Sequence, residues 1–423
     1  MMRSMKLIIF ICYLVVASAG YFLRALNLRH LRKHGAEVPA GFAGAVDGEL
    51  LARTSAYTFE QSRAGLCESV IEDIFILVFL FSGLFGAYDR WLASLSGSFA
   101  SSGILFYLGL SLAGAVLDIP FSLHTTFSIE NRYGFNTITP KLWLLDLTKS
   151  MLISIFLLVI VAGVALTIVQ YSSQFWWLWV WGFFALVTLF LIYLSPYLIE
   201  PLFNKFEPLQ EETLAEEIRA LMAKAGLSVS RVLQVDASRR SRHSNAYFTG
   251  IGRVKRIVLY DTLLKQMSHG EILAVLAHEV GHWEKGHIWK RLVFMEVAGL
   301  AICYSAFSLL AWGGLPKFMG LCHASFAAQT VILAFIGSLA AFPFTPLGNW
   351  LSRKHEREAD RFACKLTSQP ETLATALIKL SRENLANLHP HPLYARFYYS
   401  HPPVVDRVRE LRAEAREGKE APN

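Results

Sequence analysis

Residues 150–199 run for fifty positions without one Asp, Glu, Lys or Arg. A helix needs about 20 apolar residues to cross the hydrocarbon of a bilayer, so this stretch has the length of two spans, with Gln170-Tyr171-Ser172-Ser173-Gln174 as the turn between them. Residues 318–352 are uncharged as well. Composition agrees: 54% of the chain is hydrophobic and 17% charged, too apolar for an ordinary soluble enzyme or a disordered chain.

Four further stretches complete a set of seven predicted spans, at about 7–23, 66–88, 99–117, 151–169, 175–194, 292–312 and 326–347. The expected fold class is an all-α polytopic membrane protein carrying a small α+β domain. With seven spans, one face receives 36 of the 40 Lys and Arg, and the other keeps Arg3, Lys6, Arg90 and Lys317. This asymmetry predicts an external N-terminus and a cytoplasmic C-terminus. An alternative for the first span is a cleaved signal peptide, since Ala17-Ser18-Ala19 fits an A-x-A site.

The net charge of +7 is dispersed, which gives no nucleic-acid signature. The five cysteines, Cys12, Cys67, Cys303, Cys322 and Cys364, are odd in number and scattered, so neither a disulfide framework nor a zinc knuckle is expected. Glu68, Glu72 and Asp73 at the start of the second span and Glu296 in the sixth must face water or protein: either they snorkel at helix ends, or they line a hydrated cavity between helices.

The polar vocabulary is confined to two segments, about 195–290 and 349–423. The expected organisation is therefore spans one to five (1–194), a protease-like segment (195–290), spans six and seven (291–348), and a second polar segment (349–423). In the first polar segment, 210–225 reads as an amphipathic helix ended by Gly226. Residues 231–235 and 256–260 have strand character, and 245–250 suggests another short strand. Ser268 with Glu271 forms a capping box that starts a helix.

Inside that helix lies His278-Glu279-Val280-Gly281-His282. Histidines at i and i+4 share one helical face and can bind one Zn²⁺. Glu279 is then the general base for an attacking water and the general acid for the leaving amine. Chance occurrence on an exposed helix is the competing reading. A third ligand is required. The metzincin spacing would put a histidine at position 288, which is Ile288, and His287 is one register off. The other candidate is Glu356, whose i+4 partner Asp360 can orient a ligating imidazole, although the same run also reads as a solvated charged helix.

At these residues the chain strongly resembles the type I CAAX prenyl proteases, integral-membrane zinc endopeptidases that include the yeast a-factor-converting enzyme. The resemblance covers nearly the whole chain. Beyond the HEVGHWEKGH and SRKHEREAD segments it extends to Ile129-Glu130-Asn131-Arg132-Tyr133-Gly134-Phe135-Asn136, Pro201-Leu202-Phe203-Asn204-Lys205-Phe206, His243-Ser244-Asn245-Ala246-Tyr247-Phe248 and Tyr399-Ser400-His401-Pro402-Pro403. It implies a seven-helix barrel around a hydrated chamber and a gluzincin site with one zinc ion held by His278, His282 and Glu356. Glu279 is then the base and Asp360 lies behind the ligands.

The resemblance further implies that Asn245 and Ala246 belong to a zincin edge strand binding substrate backbone, and that His401 stabilises the transition state. Arg407 organises the site or binds substrate. His287 is left as a packing or supporting residue, and Glu130 and Arg132 are assigned to structure. The implied partners are the bilayer and a peptide, prenylated or otherwise amphipathic, with the chain acting as a monomer.

The short connection at 313–323, where some eukaryotic members carry insertions, favours a bacterial inner membrane over an endoplasmic reticulum membrane. It also leaves the prenyl group open. Two other functions stay in view. One is a quality-control protease for misfolded membrane proteins; the other is a non-proteolytic lipid-binding or transport protein with a structural zinc, a reading that Glu279 disfavours.

Overall fold

The computed structural model describes residues 2–95, 97–249 and 254–420. Apolar sequence becomes helix here because a spanning segment must satisfy its own backbone hydrogen bonds. The chain opens with α1 (Met2–His34), α2 (Gly48–Phe81), α3 (Leu84–Leu95), α4 (Phe99–His124), α5 (Pro140–Tyr171) and α6 (Trp176–Leu198). Among the described residues six helices are long and apolar enough to cross a membrane, and α2 with α3 adds a seventh, bent by 66°. The bend falls at Gly83, whose φ of +103° is accessible to glycine. All seven predicted spans therefore lie on helices, and the predicted 66–88 span is the bent one. The connection predicted at 170–174 is where α5 ends and α6 begins.

α4 contains Pro120 and runs into a wide π-helical turn, Thr125–Glu130. Glu130 at its end accepts a hydrogen bond from Tyr57 at 2.7 Å and lies 3.3 Å from His243 Nε2, whose Nδ1 is 2.9 Å from Asn384. Arg132 pairs with Glu60 at 2.7 Å. Glu130 thus ties the spans to the polar domain through His243, while Arg132 ties the end of α4 to α2.

The polar domain begins with α7 (Glu200–Phe203), β1 (Phe206–Pro208), α8 (Glu212–Lys224) and β2 (Ser228–Val235). It continues through β3 (Ala246–Thr249), β4 (Val254–Tyr260), α9 (Asp261–Gln266) and α10 (His269–Glu284). The strands form one sheet in the order β1-β2-β4-β3, with β2 and β4 parallel and the outer pairings antiparallel. β3 is thus an edge strand; Gly250, the last residue of the predicted strand, lies outside the described residues. The Ser268–Glu271 capping box starts α10 as expected, and Lys379 reinforces it with a 2.8 Å bond to Glu271.

The sixth and seventh spans follow as α11 (His287–Trp312), α12 (Leu315–Phe318) and α13 (Phe326–Ala341). The chain closes with α14 (Thr345–Thr367), α15 (Pro370–Glu383), α16 (Pro392–Tyr398) and α17 (Val404–Glu420). The last helix runs as far as Glu420. Each span touches the next in the series α1, α2, α4, α5, α6, α11, α13, and α13 returns to α1, so the spans close a ring. In each of the six spans other than the bent α2–α3 pair, no more than 11% of an apolar window is buried, as suits helices that face lipid.

Asp73 accepts from Tyr13 at 2.5 Å and from Tyr21, while Glu68, Glu72 and Asp118 converge within 4.8 Å. These carboxylates therefore gather between helices. The five cysteines are free.

The two polar segments share one core. Leu214, Ile218, Ile257, Leu276, Ala363, Leu377 and Val408 pack together, joined by Phe42, Val46 and Leu51 from the connection after α1 and the start of α2. This core fixes α10 against α14, and those two helices build the site.

Candidate metal centre

α10 and α14 run directly into the membrane: α10 precedes α11 across a turn at Gly286 (φ +65°), and α14 continues the seventh span through a short 3₁₀ turn at Phe342–Phe344. Where they cross, Gly281 lies so close that a Cβ on it would sit 2.8 Å from Ala359 Cα and 2.9 Å from Ala359 O. This approach lets a carboxylate on α14 meet two imidazoles on α10.

His278 Nε2 and His282 Nε2 are 3.2 Å apart. Glu356 places Oε1 3.1 Å from His282 Nε2 and Oε2 3.4 Å from His278 Nε2. Ligands about 2.0–2.1 Å from a tetrahedral ion are separated by about 3.4 Å, so the three donors fit one metal without rearrangement. Glu356 is 3% exposed, and its Oε2 lacks an aligned hydrogen-bond donor among the described residues although His401 Nδ1 stands 2.8 Å away. A buried carboxylate oxygen in that condition is suited to a cation.

Behind the ligands, His278 Nδ1 lies 2.7 Å from Asp360 Oδ1. Arg407 grips Asp360 with two bonds, Nε to Oδ2 at 2.8 Å and Nη2 to Oδ1 at 2.6 Å. With Nδ1–H donated to Asp360, Nε2 of His278 is left as the ligating nitrogen. Burial alone would lower the His278 pKa, but hydrogen bonding to Asp360 and Glu356 overrides it and lifts the value to about 9. A metal must displace that proton, so uptake is coupled to proton release.

Arg407, expected to organise the site or bind substrate, is 9% exposed and also lies 3.6 Å from Glu356. That is an organising position. His282 Nδ1 faces His287 Nδ1 at 3.1 Å, His287 Nε2 approaches Glu358 at 3.0 Å, and the His287 ring stacks on His355 at 4.0 Å. Sequence reasoning missed Glu358 and His355. Their only signal was the alternation of acidic and basic residues around Glu356.

Glu279 is half-buried and makes no hydrogen bond or ion pair among the described residues, so its carboxylate is available. His401 is 63% exposed at its side chain yet reaches Glu356. Its loop is pinned by Arg353, which donates to Tyr399 O at 2.5 Å, and by Asn349, which donates to Phe397 O at 2.6 Å. Asn245 and Ala246 open the edge strand: Asn245 Oδ1 accepts from Ala246 N at 2.8 Å, and Asn245 O accepts from Tyr260 N at 3.1 Å. β3 packs against α10, so an unpaired strand edge lies beside the ligand helix.

Gly281→Ala tests the helix crossing. The added methyl meets backbone, so the helices must part, at a cost of about 1–3 kcal/mol. We expect metal per chain to fall together with the melting temperature. Full occupancy and wild-type melting would show that the crossing does not set the site.

Residues 27–205 match the sequence family described as CAAX prenyl protease N-terminal, five membrane helices, and residues 208–415 match peptidase family M48. The chain is 34% identical over 402 residues to a CAAX prenyl protease 1 homolog of Oryza sativa subsp. japonica, covering 90% of this chain and 92% of that one. It is 30% identical over 444 residues to the Mus musculus homolog, covering 92% and 91%. The crystal structure of S. mikatae Ste24p superposes with a TM-score of 0.89 at 27% identity, covering 96% of this chain and 99% of that one.

Proposed function

Because the chain belongs to the CAAX prenyl protease family of M48 peptidases, and is thus a multi-pass membrane metalloprotease, we propose that His278, His282 and Glu356 hold one catalytic zinc ion that serves cleavage near a prenylated C-terminus. The observation that carries this reading is the set of three donors at tetrahedral spacing on two helices, backed by Asp360 and Arg407. A zinc ion bound there supplies a Lewis acid that polarises the scissile carbonyl and acidifies water.

The chain's own residues do the rest. Glu279 takes the proton of the attacking water and returns it to the leaving amine. His401, on its pinned loop, aims a donor at the oxyanion that develops on the carbonyl. Asp360 holds the His278 tautomer, Arg407 holds Asp360, and His287 with Glu358 steadies His282. The substrate backbone adds to the free edge of β3, where Asn245 and Ala246 meet it, while the ring of spans accommodates the prenyl chain. A donor set of three protein groups, rather than four, is the number that catalytic rather than structural zinc sites use. The positive-inside asymmetry supports a cytoplasmic site, with the chain acting as a monomer.

The test is mass spectrometry of a farnesylated C-a-a-X peptide and its unprenylated twin incubated with the purified chain. Burial contributes about 0.8 kcal/mol per CH₂, so sheltering even a few methylenes gives at least a tenfold preference for the farnesylated peptide. Equal rates on the two peptides would remove the prenyl group from the reading and favour quality-control proteolysis.

A further inference from the structure

Away from the metal centre, a cavity of about 1300 Å³ opens where α5 and α6 meet the sheet. Among the described residues seven Lys and Arg side chains line it, and no Asp or Glu does. Four of the cations are engaged. Lys149 donates to Leu202 O at 2.7 Å, Lys205 and Arg219 pair with Glu207 and Glu212, and Arg240 forks onto Asp146 at 2.8 and 3.1 Å. The other three, Arg231, Arg239 and Arg256, have no ion pair among the described residues.

Arg256 is the unusual one. It is only 8% exposed, lies 4.5 Å over the Phe206 ring and 5.5 Å over Tyr197, and donates Nη1 to Pro196 O at 2.9 Å. Its Nε is buried without a hydrogen-bond partner among the described residues. A buried guanidinium with no counter-anion and an unmet N–H carries a desolvation cost that an anionic oxygen would offset, and its planar fork matches a phosphate.

Apolar residues of the membrane spans and of the turn that follows them also line the cavity. Leu142 and Leu145 come from the first turns of α5, Tyr197 from the end of α6, and Leu202 and Phe203 from α7. Leu145 and Leu202 are 48% and 51% exposed. Unpaired cations from the sheet and the turn after β2 share this cavity with apolar side chains from span ends, a combination that matches a phosphate diester attached to an acyl chain.

We propose that this cavity binds the headgroup of an anionic phospholipid from the leaflet beside the polar domain. Its phosphate sits against Arg256, with Arg231 and Arg239 closing over it, and its glycerol and acyl region lies along Leu142, Leu145 and Leu202. A lipid held there bridges the spans to the sheet that carries β3.

The experiment is native mass spectrometry of the full chain in detergent, titrated in parallel with dioleoyl phosphatidylglycerol, dioleoyl phosphatidylcholine, inorganic phosphate and an acidic peptide. The variants are Arg256→Gln and the double variant Arg231→Gln/Arg239→Gln. The latter pair lies on the exposed wall, so it tests the site even if Arg256→Gln fails to fold. Each basic side chain near an anionic lipid contributes about a fivefold gain in affinity. The double variant should therefore bind phosphatidylglycerol about 25-fold more weakly, with phosphatidylcholine binding unchanged. Unchanged phosphatidylglycerol affinity in the double variant would overturn the proposal. Displacement of the lipid by inorganic phosphate at equal concentration would reassign the site to a free anion, and binding of the acidic peptide without the lipid would reassign it to a peptide.

Discussion

Glu279→Gln is expected to lower kcat/KM on a cleavable peptide by about 10³–10⁴-fold while the chain retains its metal and its fold. The side chain lies between the two histidines in sequence but makes no bond of its own among the described residues, and it is half-buried beside the ligand cluster. Glutamine keeps its size and hydrogen-bonding shape and loses only the capacity to carry a proton. Because Glu279 serves both proton transfers, removing it removes both. Steady-state kinetics combined with metal analysis on the same sample check this: low activity with full metal is expected, and undiminished activity would place the base elsewhere.

The second large effect is expected from Glu356→Gln. Its carboxylate is the single anionic donor in the set, it is buried, and it joins α14 to both imidazoles on α10. The neutral amide removes the one negative charge from the three donors, and metal affinity should fall by more than the roughly 10–100-fold typical of losing a group behind a ligand. Asp360→Asn supplies that milder comparison, since it alters the partner of His278 and not a ligand. Equilibrium competition with a chromophoric chelator ranks the three proteins: wild type tightest, Asp360→Asn intermediate, Glu356→Gln weakest. A Glu356→Gln protein that holds metal as well as Asp360→Asn does would remove Glu356 from the ligand set.

Much of this site was legible in the sequence because helical periodicity carries it. The spacing of His278 and His282, and of Glu356 and Asp360, puts each pair on one helix face, and both pairs do fall on helices. Charge-free runs likewise located the fourth, fifth and seventh spans, and apolar length located the others. What stayed hidden depends on tertiary contact. Nothing local in Gly281 tells that Ala359 will lie against it, and nothing in Glu358 tells that His287 will fold back to it.

The second span reads as straight because Ser82 and Gly83 interrupt its hydropathy too briefly to show a 66° bend. β1 is three residues long and ends in Pro208, below the length at which alternation can be recognised. The parallel pairing of β2 with β4 places β3 at the edge, and strand spacing alone could not distinguish that order from a simple meander. His401 became interpretable as part of the site only through the resemblance: two prolines after a histidine read as loop until Arg353 and Asn349 are seen holding that loop against α14.

The central claim is that His278, His282 and Glu356 hold a zinc ion on which peptide hydrolysis depends. Its most direct test is to measure zinc per chain and cleavage of a farnesylated C-a-a-X peptide on the same purified protein, before chelation, after chelation and after stoichiometric zinc is returned. One zinc per chain, loss of cleavage with loss of zinc, and recovery of both together is the expected result. Cleavage that persists in a zinc-free chain would contradict the account.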